Sequence, residues 1–192
     1  MEMKRLAIAC VMLCSCLKGT ALATPLSYQA ALNGLQTVPP NGSAATGVGF
    51  VTVDAATHLL SFTVSWTNLA ASPLVAHIHC CAPVGSNGTL AIQFLGLAGT
   101  SGTFGANGVD LTVVAQYNPV FLNAHGGTAA GAETFLEAGL AGGIAYIDIP
   151  DSVFGGGEIR GQLAPIPEPA TALLLVTGFA LIAARYKASA IS

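Results

Sequence analysis

The stretch LSFTVSWT at residues 60–67 decides the fold class of this 192-residue chain. Large apolar side chains occupy every second position, and small hydroxyl side chains stand between them. Because successive side chains of a β-strand point to opposite faces, this alternation predicts a strand with one buried and one solvated face. The apolar residues Leu60, Phe62, Val64 and Trp66 are expected to form the buried face.

Similar β-rich runs recur along the chain, and turn sequences separate them. The turns are predicted at PPNG (39–42), Asn87-Gly88, GANG (105–108) and the three glycines at 155–157. One short helix is predicted at residues 132–140, entered through Glu133. Seven or eight short strands predict a mostly β fold, a single antiparallel β-sandwich domain. The predicted strands cover residues 27–35, 48–53, 60–67, 74–79, 90–94, 109–116, 144–149 and 158–163.

Residues 1–23 have the pattern of a secretory signal peptide with an apolar helix. Lys4 and Arg5 precede an apolar run over residues 6–17, and Ala21-Leu22-Ala23 follows as a small-residue cleavage site. Cleavage by signal peptidase after Ala23 would make Thr24 the first residue of the mature protein. A lipoprotein signal through the LCSC sequence at 13–16 is the alternative.

The C-terminal residues 167–192 form a second targeting signal. Pro167-Glu168-Pro169 precedes an uncharged run at 170–184, which Arg185 and Lys187 close. A fifteen-residue helix rises about 22 Å, short of a hydrocarbon core of about 30 Å. The segment resembles the PEP-CTERM sorting signal of Gram-negative bacteria. The resemblance implies a transmembrane helix in the inner membrane that an exosortase removes, so that the protein reaches the cell surface or the extracellular matrix. A permanent C-terminal anchor is the alternative.

The domain between these two targeting signals, residues 24–166, is acidic and contains no lysine. It carries seven acidic residues against the single base Arg160, a formal charge of −6, whereas the whole chain has −3. Nucleic acid is therefore excluded as a partner, because binding it requires clustered Lys and Arg. Divalent cations and polysaccharides remain compatible. The acidic residues are Asp54, Asp110, Glu133, Glu137, Asp148, Asp151 and Glu158.

Three sequence motifs in this domain fit together. ALNGLQTVPP opens it at 31–40, His77-Ile78-His79 lies in the middle, and GGEIRGQL closes it at 156–163. Together they resemble the CHRD domain, named after chordin, over residues 28–164. The resemblance implies an extracellular or surface module without a general enzymatic activity. Within the closing motif, Glu158 and Arg160 are two residues apart, so both are expected on one face of the last strand, pairing with neighbouring strands or loops.

His77 and His79 are the candidate metal ligands. Residues i and i+2 of a strand project from one face about 6–7 Å apart, so two imidazoles can reach one metal ion. Cys81 would continue that face and add a soft ligand suited to copper(I) or zinc. The alternative is a hydrogen-bonded pair of half-buried histidines that binds nothing.

The resemblance also indicates how this metal site differs from the family pattern. Many CHRD domains carry a third histidine in an Asn-x-His stretch before the closing motif, and here Asp148-Ile149-Pro150 stands in its place. A ligand set would then draw on Cys81, Asp148 or His125. His58 is expected to be solvated. The adjacent Cys80 and Cys81 can form a vicinal disulfide, pair with another molecule or remain thiols.

The sequence therefore predicts an exported, non-enzymatic surface or matrix protein without a cofactor. Signal peptidase and exosortase are its expected processing partners, the inner membrane holds it transiently, and exopolysaccharide is a candidate surface partner. The alternative function is a copper- or zinc-binding β-sandwich that uses His77 and His79, with redox activity as one option.

Overall fold

A computed structural model describes residues 24–167, together with Thr177 and Gly178. The predicted signal peptide (1–23), the predicted membrane helix (170–184), and Glu168, Pro169, Arg185 and Lys187 lie outside the described residues. Pro167 is described and is exposed. Within the described part, no helix combines the length and the hydropathy that crossing a bilayer requires.

Nine strands and two α-helices build residues 24–167. Helix α1 spans Pro119–Ala124 and helix α2 spans Ala129–Ala141, and short 3-10 turns lie at Gly34–Gln36 and Val114–Gln116. The strands are β1 (Leu26–Asn33), β2 (Thr46–Asp54), β3 (Leu59–Thr67), β4 (Val75–Cys80), β5 (Thr89–Leu95), β6 (Gly102–Asp110), β7 (Tyr146–Ile149), β8 (Ile159–Gln162) and β9 (Ala164–Pro165).

All strands belong to one antiparallel sheet in the order β5-β4-β7-β8-β1-β2-β3-β6, with β9 paired to β1. The sheet is rolled and nearly closed. Its two edge strands meet where Phe94 of β5 packs on Phe104 of β6, with ring centroids 6.4 Å apart. The predicted mostly β, antiparallel fold is confirmed. One rolled sheet, however, takes the place of the two separate sheets expected of a sandwich.

The alternating stretch at 60–67 has the predicted arrangement. It lies in β3, and Leu60, Phe62, Val64 and Trp66 are all at most 2% exposed. The Phe62 ring stacks on Phe94 at 4.0 Å, so β3 reaches across the interior to β5. Each such buried side chain contributes roughly 1.5–3 kcal/mol of hydrophobic stabilisation, which makes β3 a main support of the core.

Two predictions between β3 and the helices were wrong. The glycine-rich sequence at 105–108 was expected to be a turn, but it lies within β6. The register against β3 shifts between Leu60 and Phe62, and Gly108 has a φ of +68°, so the second half of this sequence forms a β-bulge. The strand expected at 109–116 ends at Asp110 instead, and α1 follows, begun by the Asn118 cap and Pro119.

Helix α2 includes the predicted helix at 132–140 and is longer at its N-terminus. It begins after Thr128, whose hydroxyl accepts a hydrogen bond from the Gly131 amide. Its Gly139 packs against a disulfide between Cys80 and Cys81, so closely that a Cβ at this position would overlap both sulfur atoms. Absence of a side chain at Gly139 therefore allows α2 to lie on the sheet.

His58 links the β2–β3 turn to α2. Its Nδ1 lies 2.9 Å from Oε1 of Glu133, although half of the His58 side chain is exposed. His58 is therefore partly solvated, as expected, and is also hydrogen-bonded to Glu133. The hydrogen bond and charge of Glu133 raise the pKa of His58, and the charges of Glu137 and Asp110 add to this effect.

We predict that replacing Gly139 with alanine lowers the free energy of unfolding by about 1–3 kcal/mol, because the new methyl group must displace the disulfide or the helix. Urea denaturation measures the change. Gly42→Ala is the matched control, since a Cβ at Gly42 meets no atom within 4 Å. Equal midpoints for Gly139→Ala and the native protein would contradict the packing described above.

The His58–Glu133 pair predicts a pH-dependent contribution to stability. A raised pKa in the folded state means that the pair stabilises fully below the unfolded pKa of His, about 6.5, and loses this contribution as pH rises through the folded value. His58→Asn removes the imidazole and tolerates the left-handed backbone at this position, where φ is +58°. Melting temperatures of native and variant protein are expected to differ more at pH 5.5 than at pH 8.5. In a Glu133→Gln background, that pH dependence should be much smaller, because only the weaker effects of Glu137 and Asp110 remain.

Candidate metal site

Three neighbouring strands bring the candidate ligands into one row. His77 of β4 is the register partner of Asp148 of β7, and Asp148 is the partner of Arg160 of β8. His79 lies two residues from His77 and is paired with Tyr146. These side chains project away from the core, because the alternate residues of the same strands, such as Ile78 and Ile147, belong to the core cluster.

The two histidines converge on one carboxylate oxygen. Asp148 Oδ1 lies 3.2 Å from His77 Nδ1 and 3.3 Å from His79 Nε2. One ligand atom from each of the three residues falls within 4.8 Å of the others. A tetrahedral zinc with bonds of about 2.1 Å separates its ligands by about 3.4 Å, so two of the three spacings already match such a centre. We call these three residues the histidine site.

Hydrogen bonding leaves two buried acceptors facing each other in the histidine site. His79 Nδ1 donates to the Gly88 carbonyl at 3.0 Å, so in the neutral imidazole Nε2 carries a lone pair. That Nε2 and Asp148 Oδ1 are both buried, and neither has a hydrogen-bond partner among the described residues. A lone pair directed at a carboxylate requires a cation between them, either a proton or a metal ion.

The pKa shifts in the histidine site have the same origin. Burial alone would lower the pKa of His79, but the Asp148 carboxylate and the Gly88 carbonyl outweigh it and raise that pKa above its usual value. Burial alone would raise the pKa of Asp148, but both imidazoles outweigh it and lower that pKa. The site therefore favours negative charge on Asp148 and positive charge beside it.

A stack of three side chains holds His79 in place. Its ring stacks on Tyr146 at 4.9 Å with an interplanar angle of 3°, and the Arg160 guanidinium carbon lies 3.5 Å from the centre of the Tyr146 ring. The Gly88 amide donates to the Tyr146 hydroxyl at 3.0 Å, while its carbonyl accepts from His79. Gly88 thus fixes both rings, which is typical of the outer shell around a metal ligand.

Gly157 covers the carboxylate from the opposite side. Its φ is +108°, and a Cβ at this position would lie 2.9 Å from Asp148 Oδ2. Only glycine adopts this backbone conformation without strain, and only glycine permits so close an approach. Gly157 of the closing motif therefore packs against Asp148, besides turning the chain into β8.

A cavity of about 220 Å³ lies beside the histidine site. His79, Asp148 and Arg160 all line it, so two of the three candidate ligand residues border open space, although Nε2 of His79 and Oδ1 of Asp148 are themselves buried. A metal site with three protein ligands and one open position can exchange its fourth ligand. The remaining lining residues are Thr37, Val38, Asn87, Tyr146 and Gly156.

Two candidate ligands lie elsewhere. Strand β4 ends at Cys80, and the Cys81 sulfur belongs to the disulfide on the α2 side of the sheet, so the structure does not bring it to the histidines. The His125 ring packs between Phe121 and Phe135, and its Nδ1 donates to the Phe121 carbonyl at 2.7 Å. Asp148 alone, of the three alternatives, joins His77 and His79.

Glu158 and Arg160 each contact neighbouring loops and do not pair with each other. Glu158 is fully buried and accepts hydrogen bonds from the Ser43 hydroxyl at 2.5 Å and from the Ala70 amide at 2.9 Å. Burial and the nearby Asp151 carboxylate raise the pKa of Glu158. Glu158 therefore links the loops that carry Ser43 and Ala70 to β8. Of the two residues, Arg160 lines the cavity and Glu158 does not.

Sequence reasoning missed Tyr146, Asn87 and Gly157 as parts of the site. Tyr146 carried a usable signal, because it lies two residues before Asp148 and so shares its face if that segment is a strand. Asn87 and Gly157 lie in turns, and their proximity to the histidines depends on how distant strands pair.

Comparison with known proteins agrees with the motifs. The chain matches the CHRD domain over residues 28–163. Neither curated proteins nor solved structures show a significant match to it. The match covers most of the chain, including both histidines, Asp148 and the closing motif with Arg160. The chain therefore belongs to the CHRD domain family.

Proposed function

We propose that this CHRD domain is a non-catalytic metal-binding module that holds Zn²⁺ or Cu²⁺ through His77, His79 and Asp148. The observation that carries the proposal is the pair of buried, facing acceptors, His79 Nε2 and Asp148 Oδ1, without a hydrogen-bond partner in the described chain. Leaving a buried polar group unpaired costs about 1–3 kcal/mol, and more when the group is charged. A metal ion between the two atoms removes that cost, as a proton on Nε2 would, and the spacing of the two histidine nitrogens around Asp148 Oδ1 supports the metal ion.

The donor atoms favour particular metals. Two imidazole nitrogens and one carboxylate oxygen suit zinc and copper(II), whereas copper(I) prefers thiolate and thioether ligands. Both Cys80 and Cys81 are in the disulfide, so no thiolate competes at the site. The acidic domain, with seven carboxylates and one base, also attracts cations to its surface.

Binding should also stabilise the fold, because the three ligands come from two distant parts of the chain. A ligand that binds only the folded state adds about 2.7 kcal/mol when its concentration is 100 times its dissociation constant. His77 and His79 lie in β4 and Asp148 in β7, so the ion would link these strands beyond their backbone hydrogen bonds.

We predict that the purified domain binds one equivalent of Zn²⁺, measured by isothermal titration calorimetry, and that zinc raises its melting temperature. His79→Ala should weaken binding by about a hundredfold or more, because it removes a direct ligand, and Asp148→Asn should also weaken it, because a neutral amide oxygen is a poorer ligand for Zn²⁺ than a carboxylate. His58→Asn is the matched control, since His58 pairs with Glu133 outside the histidine site, and it should bind like the native protein. Absence of binding by native protein to both Zn²⁺ and Cu²⁺ at micromolar concentrations would refute the proposal.

We further propose that the protein is exported and displayed at the cell surface or in the extracellular matrix, with exopolysaccharide as a candidate partner. The signal-peptide pattern before Thr24 and the tail from Pro167 onward support this location. The Cys80–Cys81 disulfide adds support, because disulfides persist in oxidising compartments. In this proposal, exosortase releases the domain from the inner membrane.

We predict that mature protein from the native host begins at Thr24 and lacks the residues after the Pro167-Glu168-Pro169 motif. Intact-mass spectrometry tests both ends. Replacing Glu168 with alanine should leave the tail attached and the protein in the membrane fraction, whereas the control Ser192→Ala should be processed normally. Retention of residues 170–192 in the mature native protein would instead identify a permanent anchor.

A further inference from the structure

Arg160 is a buried cation without a carboxylate partner. Its side chain belongs to a residue only 3% exposed, and no ion pair between it and a carboxylate occurs within residues 24–167. Its two hydrogen bonds run to neutral amide oxygens and are long: 3.3 Å to Asn87 and 3.4 Å to Gln162. A buried charge is normally paired, and here the guanidinium contacts only the Tyr146 ring and two neutral amides, while its register partner Asp148 balances its charge without an ion-pair contact.

The cavity beside Arg160 offers room for that anion. It measures about 220 Å³, and Arg160, His79 and Asp148 line the same space. Since one water molecule takes about 30 Å³ of liquid volume, the cavity accommodates a group of a few non-hydrogen atoms. Guanidinium groups bind carboxylates and similar planar oxyanions through two parallel hydrogen bonds, so its chemistry selects this class.

Charge balance makes the anion dependent on the metal. Without a metal ion, Asp148 and Arg160 are neighbours in the strand register with opposite charges, so the site is close to neutral. A divalent cation at His77, His79 and Asp148 adds two positive charges to this site. The loaded site therefore attracts an anion that the empty one does not.

We propose that the cavity is a binding site for a small carboxylate or carbonate-like anion, held by Arg160 and by the open position of the metal ion. One oxygen of the anion ligates the metal and another accepts from the guanidinium. This inference rests on the metal site proposed above. By linkage, the anion raises metal affinity by the same factor by which the metal raises anion affinity.

Formate and copper(II) test this inference on the full domain. Visible absorption and electron paramagnetic resonance of the Cu²⁺-loaded protein report a new ligand on the metal during a formate titration. We expect saturable binding to the loaded native protein, and binding weaker by about tenfold or more in Arg160→Gln, because a charge-assisted hydrogen bond is lost. Metal-free native protein should show no formate binding by calorimetry.

Two further variants separate the roles of charge, shape and folding. Arg160→Lys keeps the charge but not the planar fork, so its formate affinity should fall between those of the native protein and Arg160→Gln. Gln162→Ala, a change at the neighbouring amide that contacts Arg160, should retain formate binding. If Arg160→Gln does not fold, the comparison of native protein with Arg160→Lys takes its place, and equal formate affinities in the two overturn the inference, as do native copper spectra unchanged by formate.

The outcomes distinguish this inference from the proposal on which it rests. Copper that binds to His77 and His79, but does not respond to formate, refutes the anion site and leaves the metal site standing. A formate response that is identical in native protein and in Arg160→Gln shows binding to the metal alone and also refutes it. Failure of copper and zinc to bind refutes both.

Discussion

Burial of the Asp148 carboxylate on a strand covered from both sides is the constraint on which the rest of the structure depends. β7 lies between β4 and β8, and all four of its residues are buried. Ile147 and Ile149 face the core, while Tyr146 and Asp148 face the cavity that the loop residues Thr37, Asn87 and Gly156 also line. A buried carboxylate is costly without positive or hydrogen-bond-donating partners. Asp148 therefore requires the imidazoles beside it, and its charge also accounts for the guanidinium of Arg160 on the next strand.

The fold could be predicted where one face of a strand is buried and the other is exposed to solvent. β3 shows this pattern at 60–67, and its apolar side chains are in the core. The pattern weakens in β6, an edge strand whose glycines resemble a turn and form a bulge. It also cannot tell a sandwich from a rolled sheet, since each strand alternates equally in both. That choice depends on contacts such as Phe62 with Phe94, which are remote in sequence.

The candidate site was predictable only as far as local spacing reaches. His77 and His79 share a face because they are two residues apart on β4, and their ring centroids lie 5.4 Å apart. Asp148 was one of three alternatives, since its position beside them depends on the pairing of β4 with β7. Cys81 was expected on the same face, but the strand ends before it and the disulfide turns it towards α2. Strand register, not residue type, thus selects the ligands.

Strand β4 carries the disulfide cysteine on one face and the two histidines on the other. This separation links the compartment in which the protein resides to the metal that the histidine site would prefer. Cys80 points inward, where its disulfide with Cys81 supports Gly139 of α2, while His77 and His79 point outward to Asp148. In a reducing compartment both sulfurs would be thiols, which are soft ligands that attract copper(I) and zinc. In an oxidising compartment the disulfide removes them from competition, and only nitrogen and oxygen donors remain. Export and a preference for zinc or copper(II) are therefore physically consistent, because the compartment that preserves the disulfide also leaves the histidine site as the available ligand set.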